Sequence, residues 1–145
     1  MSPLTPQDSD FESRIRQSFS RQGAMTTLGA ELTDVKPGRV VIELRHHEAL
    51  TQHHGYLHAG MLTTIVDNAC GYAASSLMAA DSEVVTVEFK VNFIAPAKAP
   101  RYRAVGSIVR AGRTLTVCSG EVLALTAEGE QPVATMLATM MAVSP

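Results

Sequence analysis

The stretch that most constrains this chain runs from Ala59 to Met78, which is apolar and free of proline. Leu62, Ile65, Val66, Ala69, Ala73 and Leu77 recur at helical spacing and form one stripe. Small residues at Ala69, Gly71, Ala73, Ala74, Ser75 and Ser76 let other backbone approach closely. A helix this long and this small-sided needs covering on most of its faces. One carboxylate, Asp67, interrupts it in the third turn. At ~100° per residue Asp67 lies roughly 120° from the centre of the stripe, on the flank of the buried face. Asp is a poor mid-helix residue, by about a few tenths of a kcal/mol relative to Ala. Beside Ile65, Val66 and Ala69 a bystander carboxylate gains nothing, so Asp67 is the first candidate for chemistry.

The remaining segments supply the cover. Residues 1–23 are expected to be an arm with a short amphipathic helix from about Asp10 to Gln22. Phe11, Ile15 and Phe19 recur every four residues, Ser9 to Glu12 fits a capping box, and Gly23 stands where a C-cap would fall. Residues 24–145 are expected to form the main domain. A strand is predicted from Met25 to Val35, then a turn at Lys36-Pro37-Gly38, then an alternating strand from Arg39 to Arg45. After the long helix come strand patterns over Glu83 to Ile94, Tyr102 to Arg110, Arg113 to Leu125 and Val133 to Val143. Two strands, a helix and four strands define an α+β chain: one antiparallel sheet with a central helix to wrap.

Bulk properties narrow the function. With 145 residues, 46% hydrophobic and 18% charged, the chain is one globular domain able to bury a core. A net charge of −2 gives no general reason to expect a nucleic-acid or acidic-membrane partner. Cys70 and Cys118 fall in apolar stretches and read as buried hydrophobes. The N-terminal residues lack the apolar core of a signal peptide and no run of ~18 apolar residues occurs, so a cytoplasmic protein is expected.

Immediately before the long helix lies a polar, glycine-broken loop, QHHGYLHAG, from Gln52 to Gly60. A helix N-terminus offers unpaired N–H groups and a partial positive charge, suited to a developing oxyanion. Nine residues separate His58 from Asp67, roughly 13 Å at ~1.5 Å per residue. That is too far for both to serve one site from one chain. A site shared by two subunits, one giving the helix start and the other the acid, removes the difficulty.

In this frame the chain resembles the hot-dog-fold acyl-CoA thioesterases, in the branch of the phenylacetate-pathway thioesterase. That branch carries Asn-x-x-Gly-x-x-His-Gly-Gly and, nine residues after the His, an Asp or Glu. Here the frame reads Gln52, Gly55, His58, Ala59, Gly60 and Asp67, with Gln52 in place of Asn and Ala59 in place of the first Gly. The later strand VTVEFKVNFIAPAK strengthens the likeness, which spans roughly residues 24–143.

The resemblance implies a curved sheet around the helix, dimers with one continuous sheet, and pairing of dimers into a homotetramer. It implies an acyl-CoA substrate hydrolysed without a cofactor, with Asp67 as general base for water or as nucleophile. Ala59 and Gly60 would present main-chain donors to the thioester carbonyl, tolerable for Ala59 if its φ is negative. Gln52 would hold the carbonyl or the water, His58 would orient the loop and helix start, and Thr86 would hold the water near the acid. Lys98, Arg110 and Arg113 match where the family binds the nucleotide end of coenzyme A. The acyl pocket is expected to be lined by the helix flank with Tyr56, Leu57, Met61 and the N-terminal Phe residues. Asn68 is expected to point elsewhere round the helix.

Other chemistries fit less well. All five histidines fall between His46 and His58, yet no carboxylate or cysteine cluster accompanies them, so no metal site is expected. There is no Gly-x-Ser-x-Gly elbow, no phosphate-binding Gly-rich loop and no His beside Cys70. Two rivals stay open: an enoyl-CoA hydratase of the same fold, and a non-catalytic acyl-CoA-binding protein.

Overall fold

The structure, a computed structural model, describes residues 3–145. In chain order it contains α1 (Phe11–Ser20), α2 (Gly23–Leu28), β1 (Glu31–Lys36), β2 (Arg39–Arg45) and a one-turn 3-10 helix (Glu48–Leu50). Then follow α3 (Ala59–Ser75), β3 (Glu83–Phe93), β4 (Arg101–Ala111), β5 (Leu115–Thr126) and β6 (Gly129–Val143). The strands form one antiparallel sheet in the order β1-β2-β4-β5-β6-β3. The sheet wraps α3, so the fold is the α+β hot-dog arrangement.

The core is the contact between the inner face of the sheet and the apolar stripe of α3. Ile42, Tyr102, Val122 and Met140 from four strands meet Leu62, Ile65, Val66 and Ala69, and all are buried. Gly106 and Gly120 face each other across β4 and β5. A Cβ at Gly106 would overlap the Ala69 carbonyl and Cys70 amide, and one at Gly120 would strike Val66 and the Cys70 sulfur. The helix backbone therefore lies directly on the sheet. Cys70 and Cys118 are buried free thiols, and burial pushes both well above the usual thiol range.

Two N-terminal expectations are corrected. The strand expected from Met25 is a short helix followed by a strand only from Glu31. Gly29, at φ 73°, closes α2 in the left-handed conformation, and its N–H and that of Ala30 cap Thr26 and Met25. Gly23 opens α2 rather than capping α1, so the helix begins on the boundary expected between residues 23 and 24. The capping box at Ser9 does not form. Asp10 is the N-cap, and Asp8 takes its N–H and the Arg14 guanidinium at 2.9 and 2.8 Å. That hydrogen bond from Arg14 holds the Asp8 carboxyl below its ordinary range. Arg14 also donates to Ser75 Oγ and to the Ser75 and Met78 carbonyls, tying α1 to the last turn of α3.

The two edges of the sheet differ. β1 is six residues long and carries Asp34 paired with Lys36 and Arg39. β3 is eleven residues long and leaves Val85, Val87, Phe89 and Phe93 exposed. No described helix is long and apolar enough to cross a membrane.

Candidate active site

Asp67 emerges from the flank of α3 half-buried, and the edge strand β3 brings Thr86 to it. Thr86 Oγ1 donates to Asp67 Oδ1 at 2.8 Å. Burial pushes the Asp67 carboxyl above its ordinary range, while the Thr86 hydrogen bond, which favours the ionised form, opposes that rise. A carboxylate with raised affinity for protons and one oxygen left free by Thr86 is suited to accept a proton from water. The pair opens on a cavity of about 230 Å³ whose walls include Ser18, Gln22, Asn68 and Tyr72.

Asn68 was expected to face elsewhere and is corrected: it lines the Asp67 cavity and accepts from Gln22 Nε2 at 2.7 Å. At ~100° per residue, adjacent positions on a helix still share a broad groove when a second segment closes it. Sequence reasoning missed Ser18, Gln22 and Tyr72. The signal was present as two polar pairs spaced by four, Ser18 with Gln22 and Asn68 with Tyr72.

The start of α3 is built differently from the expectation. His58 is the N-cap, in extended conformation, and its Nδ1 accepts the Gly60 N–H at 2.8 Å. Gly60 thus has its amide engaged within its own cap. The Ala59 N–H donates to no described residue. No described non-glycine residue has a positive φ, so Ala59 sits where alanine carries no strain. Gln52 Oε1 accepts the main-chain N–H groups of His54 and Tyr56, which folds the loop. Gln52 Nε2 donates to no described residue. Gln52 and Ala59 line a second cavity, of about 180 Å³, with Tyr56, Leu57 and Phe93. Of the expected acyl-pocket residues, Tyr56 and Leu57 are therefore at the helix start, while Phe11, Phe19 and Met61 pack against the core.

One protomer does not bring Ala59 and Asp67 to one point. Eight residues of α3 separate them, about 12 Å at ~1.5 Å per residue. The basic candidates are also apart. Lys98 borders a cavity of about 540 Å³ with His46 and Gly55, whereas Arg113 borders one of about 460 Å³ at the β4–β5 turn. Arg110 stands at the far end of β4 from Lys98, roughly 30 Å away at ~3.3 Å per residue. Among the other histidines, His47 caps the 3-10 helix and His53 stacks on His54 with ring centroids 4.0 Å apart. No group of three His, Cys, Asp or Glu among the described residues is placed to hold a metal ion.

A sheet wrapped on one helix, with a carboxylate on the helix flank and open donors at its start, defines a class. Residues 54–129, over half the chain, match the sequence profile of the thioesterase superfamily. The chain belongs to that superfamily, among the hot-dog thioesterases, and is a thioester hydrolase. A thioesterase family protein from Silicibacter pomeroyi is 47% identical, with a TM-score of 0.91 over 93% of this chain and 99% of that one. A 1,4-dihydroxy-2-naphthoyl-CoA hydrolase of Listeria monocytogenes is 27% identical, over 66% of this chain and 77% of its own length. The PaaI protein of E. coli, from the phenylacetic acid degradation operon, shares the fold at 16% identity. Its TM-score is 0.83, over 95% of this chain and 96% of that one.

Proposed function

We propose that the protein hydrolyses an acyl-CoA to free acid and CoA at a site shared by two copies of the chain. The observation that carries this reading is the separation of two incomplete half-sites on one helix. Asp67 with Thr86 lines one cavity, and Gln52 with Ala59 lines another. Both half-sites border β3, whose long unpaired edge is where a second sheet would join. Pairing there in an antiparallel sense sets the acid of one protomer towards the helix start of the other. Two such dimers would give the homotetramer expected from the family.

In this mechanism Asp67 accepts a proton from water as its oxygen attacks the thioester carbonyl carbon. The carbonyl oxygen becomes an oxyanion facing the partner's Ala59 N–H and Gln52 Nε2. The C–S bond then breaks, and the CoA sulfur takes the proton back from Asp67. Direct attack by Asp67 on the carbonyl is the other route open to the same geometry. Because Gly60 is held by His58, Ala59 is the main-chain donor of this site and His58 its orienting cap. Removing one such donor typically costs ~2.7–4 kcal/mol in the barrier. Lys98 from one copy and Arg110 or Arg113 from another would meet the CoA phosphates, since one protomer holds them too far apart.

Thiol release from a panel of aryl and straight-chain acyl-CoAs, with wild type and Asp67→Ala, tests this directly. Turnover that collapses in the variant, with its oligomer intact, supports the reading and names the acyl class. Tight binding of intact acyl-CoA without thiol release would replace it with a binding protein.

A further inference from the structure

Tyr102 stands where phenylalanine would fill the same space. Its ring lies on the inner face of β4, in register with Leu44 and Ala124, and is fully buried in the apolar core. The hydroxyl has one use among the described residues: it accepts the Ala99 N–H at 2.9 Å. A buried tyrosine hydroxyl ordinarily has a partner, and here the partner is the loop between β3 and β4. Burial pushes this hydroxyl above its ordinary range, against the opposing pull of the Ala99 bond, so it is a neutral acceptor at neutral pH.

That loop, residues 94–100, reads IAPAKAP, and its two prolines bias Ala95 and Ala99 towards extended backbone. Its carbonyls are held by the segment before α3: the Leu57 N–H donates to Ala97 O at 3.1 Å and the His46 N–H to Pro100 O at 2.9 Å. Between those two anchors lie only Lys98 and Ala99, and Tyr102 holds the second of them. Lys98 Nζ pairs with no described residue. The cavity it borders with His46 and Gly55, about 540 Å³, has no carboxylate in its wall. An ammonium without a protein partner, in a wall without negative charge, suits a phosphate.

We propose that Tyr102 is a positioning residue for CoA recognition: by holding the Ala99 amide it sets Lys98 against the phosphates of the nucleotide end. This rests on the hydrolase reading and deepens it. Without the hydroxyl, the Lys98–Ala99 segment loses its side-chain tether and is ordered only when substrate binds, which weakens binding. The anchors at Ala97 and Pro100 remain, so the start of α3 keeps its place and the chemical step keeps its rate.

The test compares one acyl group carried on CoA and on N-acetylcysteamine, a thiol without phosphate, in wild type, Tyr102→Phe, Lys98→Ala and the double variant. Tyr102→Phe is expected to raise KM for the CoA thioester by roughly three- to tenfold, the usual worth of one hydrogen bond, with kcat within about twofold. For the N-acetylcysteamine thioester its kcat/KM should also stay within about twofold, a split that a fault in folding alone would not produce. In the double variant the loss should be no larger than in Lys98→Ala, because Tyr102 acts through Lys98. An equal fall on both thioesters, an unmoved KM for the CoA thioester, or losses that add in the double variant overturns this inference and leaves the hydrolase reading standing. No thiol release by wild type from either thioester, or from the wider panel, overturns both.

Discussion

The two edges of the sheet are opposites in design. β1 is short, and its Asp34 pairs with Lys36 of the same strand and with Arg39 of β2. Such edges resist pairing with another chain. β3 is nearly twice as long, and its apolar side chains stay exposed, with Val87 at 52%. It also carries Thr86, the hydroxyl on Asp67. The edge that protects itself has no part in the candidate site, and the edge that does not protect itself holds half of it. A long apolar edge left bare beside the carboxylate proposed as catalytic makes sense as a joint, so assembly and activity should rise and fall together.

The largest expected effect is on the carboxylate. Asp67→Asn should lower turnover by roughly 10²–10⁴-fold, the usual contribution of a positioned acid or base. The same variant should melt higher. Burial raises the Asp67 pKa, so its ionised form weakens the fold above that pKa and the strain is relieved below it. Removing the charge should add about 2–4 °C to Tm, and a calorimetric scan at neutral pH reads this. An unchanged rate would break the comparison at its centre.

Next comes the joint itself. Val87→Lys places on β3 the kind of charge that edges use against pairing. Sedimentation should show smaller assemblies, and thiol release should fall in parallel. Full activity in a dissociated monomer would sink the shared-site reading.

Thr86→Val is subtler. Losing a hydrogen bond that favours the ionised carboxylate raises the Asp67 pKa further. The proposed mechanism needs the ionised form, so the acidic limb of the kcat/KM profile should move to higher pH. A limb that stays put would detach Thr86 from the acid. The smallest effect belongs to the protected edge: Asp34→Ala should change stability by no more than about 0.5 kcal/mol in denaturant melts and leave turnover unaltered.

The sequence carried the architecture well because periodicity reports burial. The α3 stripe, the alternating strands and the turns at Gly38 and Gly112 each obey one local rule, and the structure has them in that order. Asp67 was legible for the same reason, as a charge on the flank of an apolar helix. The segment from Met25 to Val35 was not, because six residues of helix closed by a left-handed Gly29 are too short for a period to register. The Asp67 cavity was only half legible. Its floor lies on α3, but its wall depends on α1 and α2 docking through Arg14 and Ile15, a long-range event with no local signature. The cap at the helix start was equally hidden. Nothing in the order His58-Ala59-Gly60 tells that the imidazole takes the Gly60 amide and leaves Ala59 free.

The pair Gly106 and Gly120 has a bearing on how such a protein changes its diet. At these two positions the helix is seated directly on the strands, which leaves no gap there for a longer substrate tail to invade. Enlarging the chamber by carving the interior would mean moving the helix, which every core contact opposes. The adjustable boundary is the docked N-terminal segment, where replacements at Ser18 or Gln22 alter size and polarity without disturbing the sheet. On the proposed function, libraries seeking new acyl groups therefore belong in the segment laid over the open flank of the sheet.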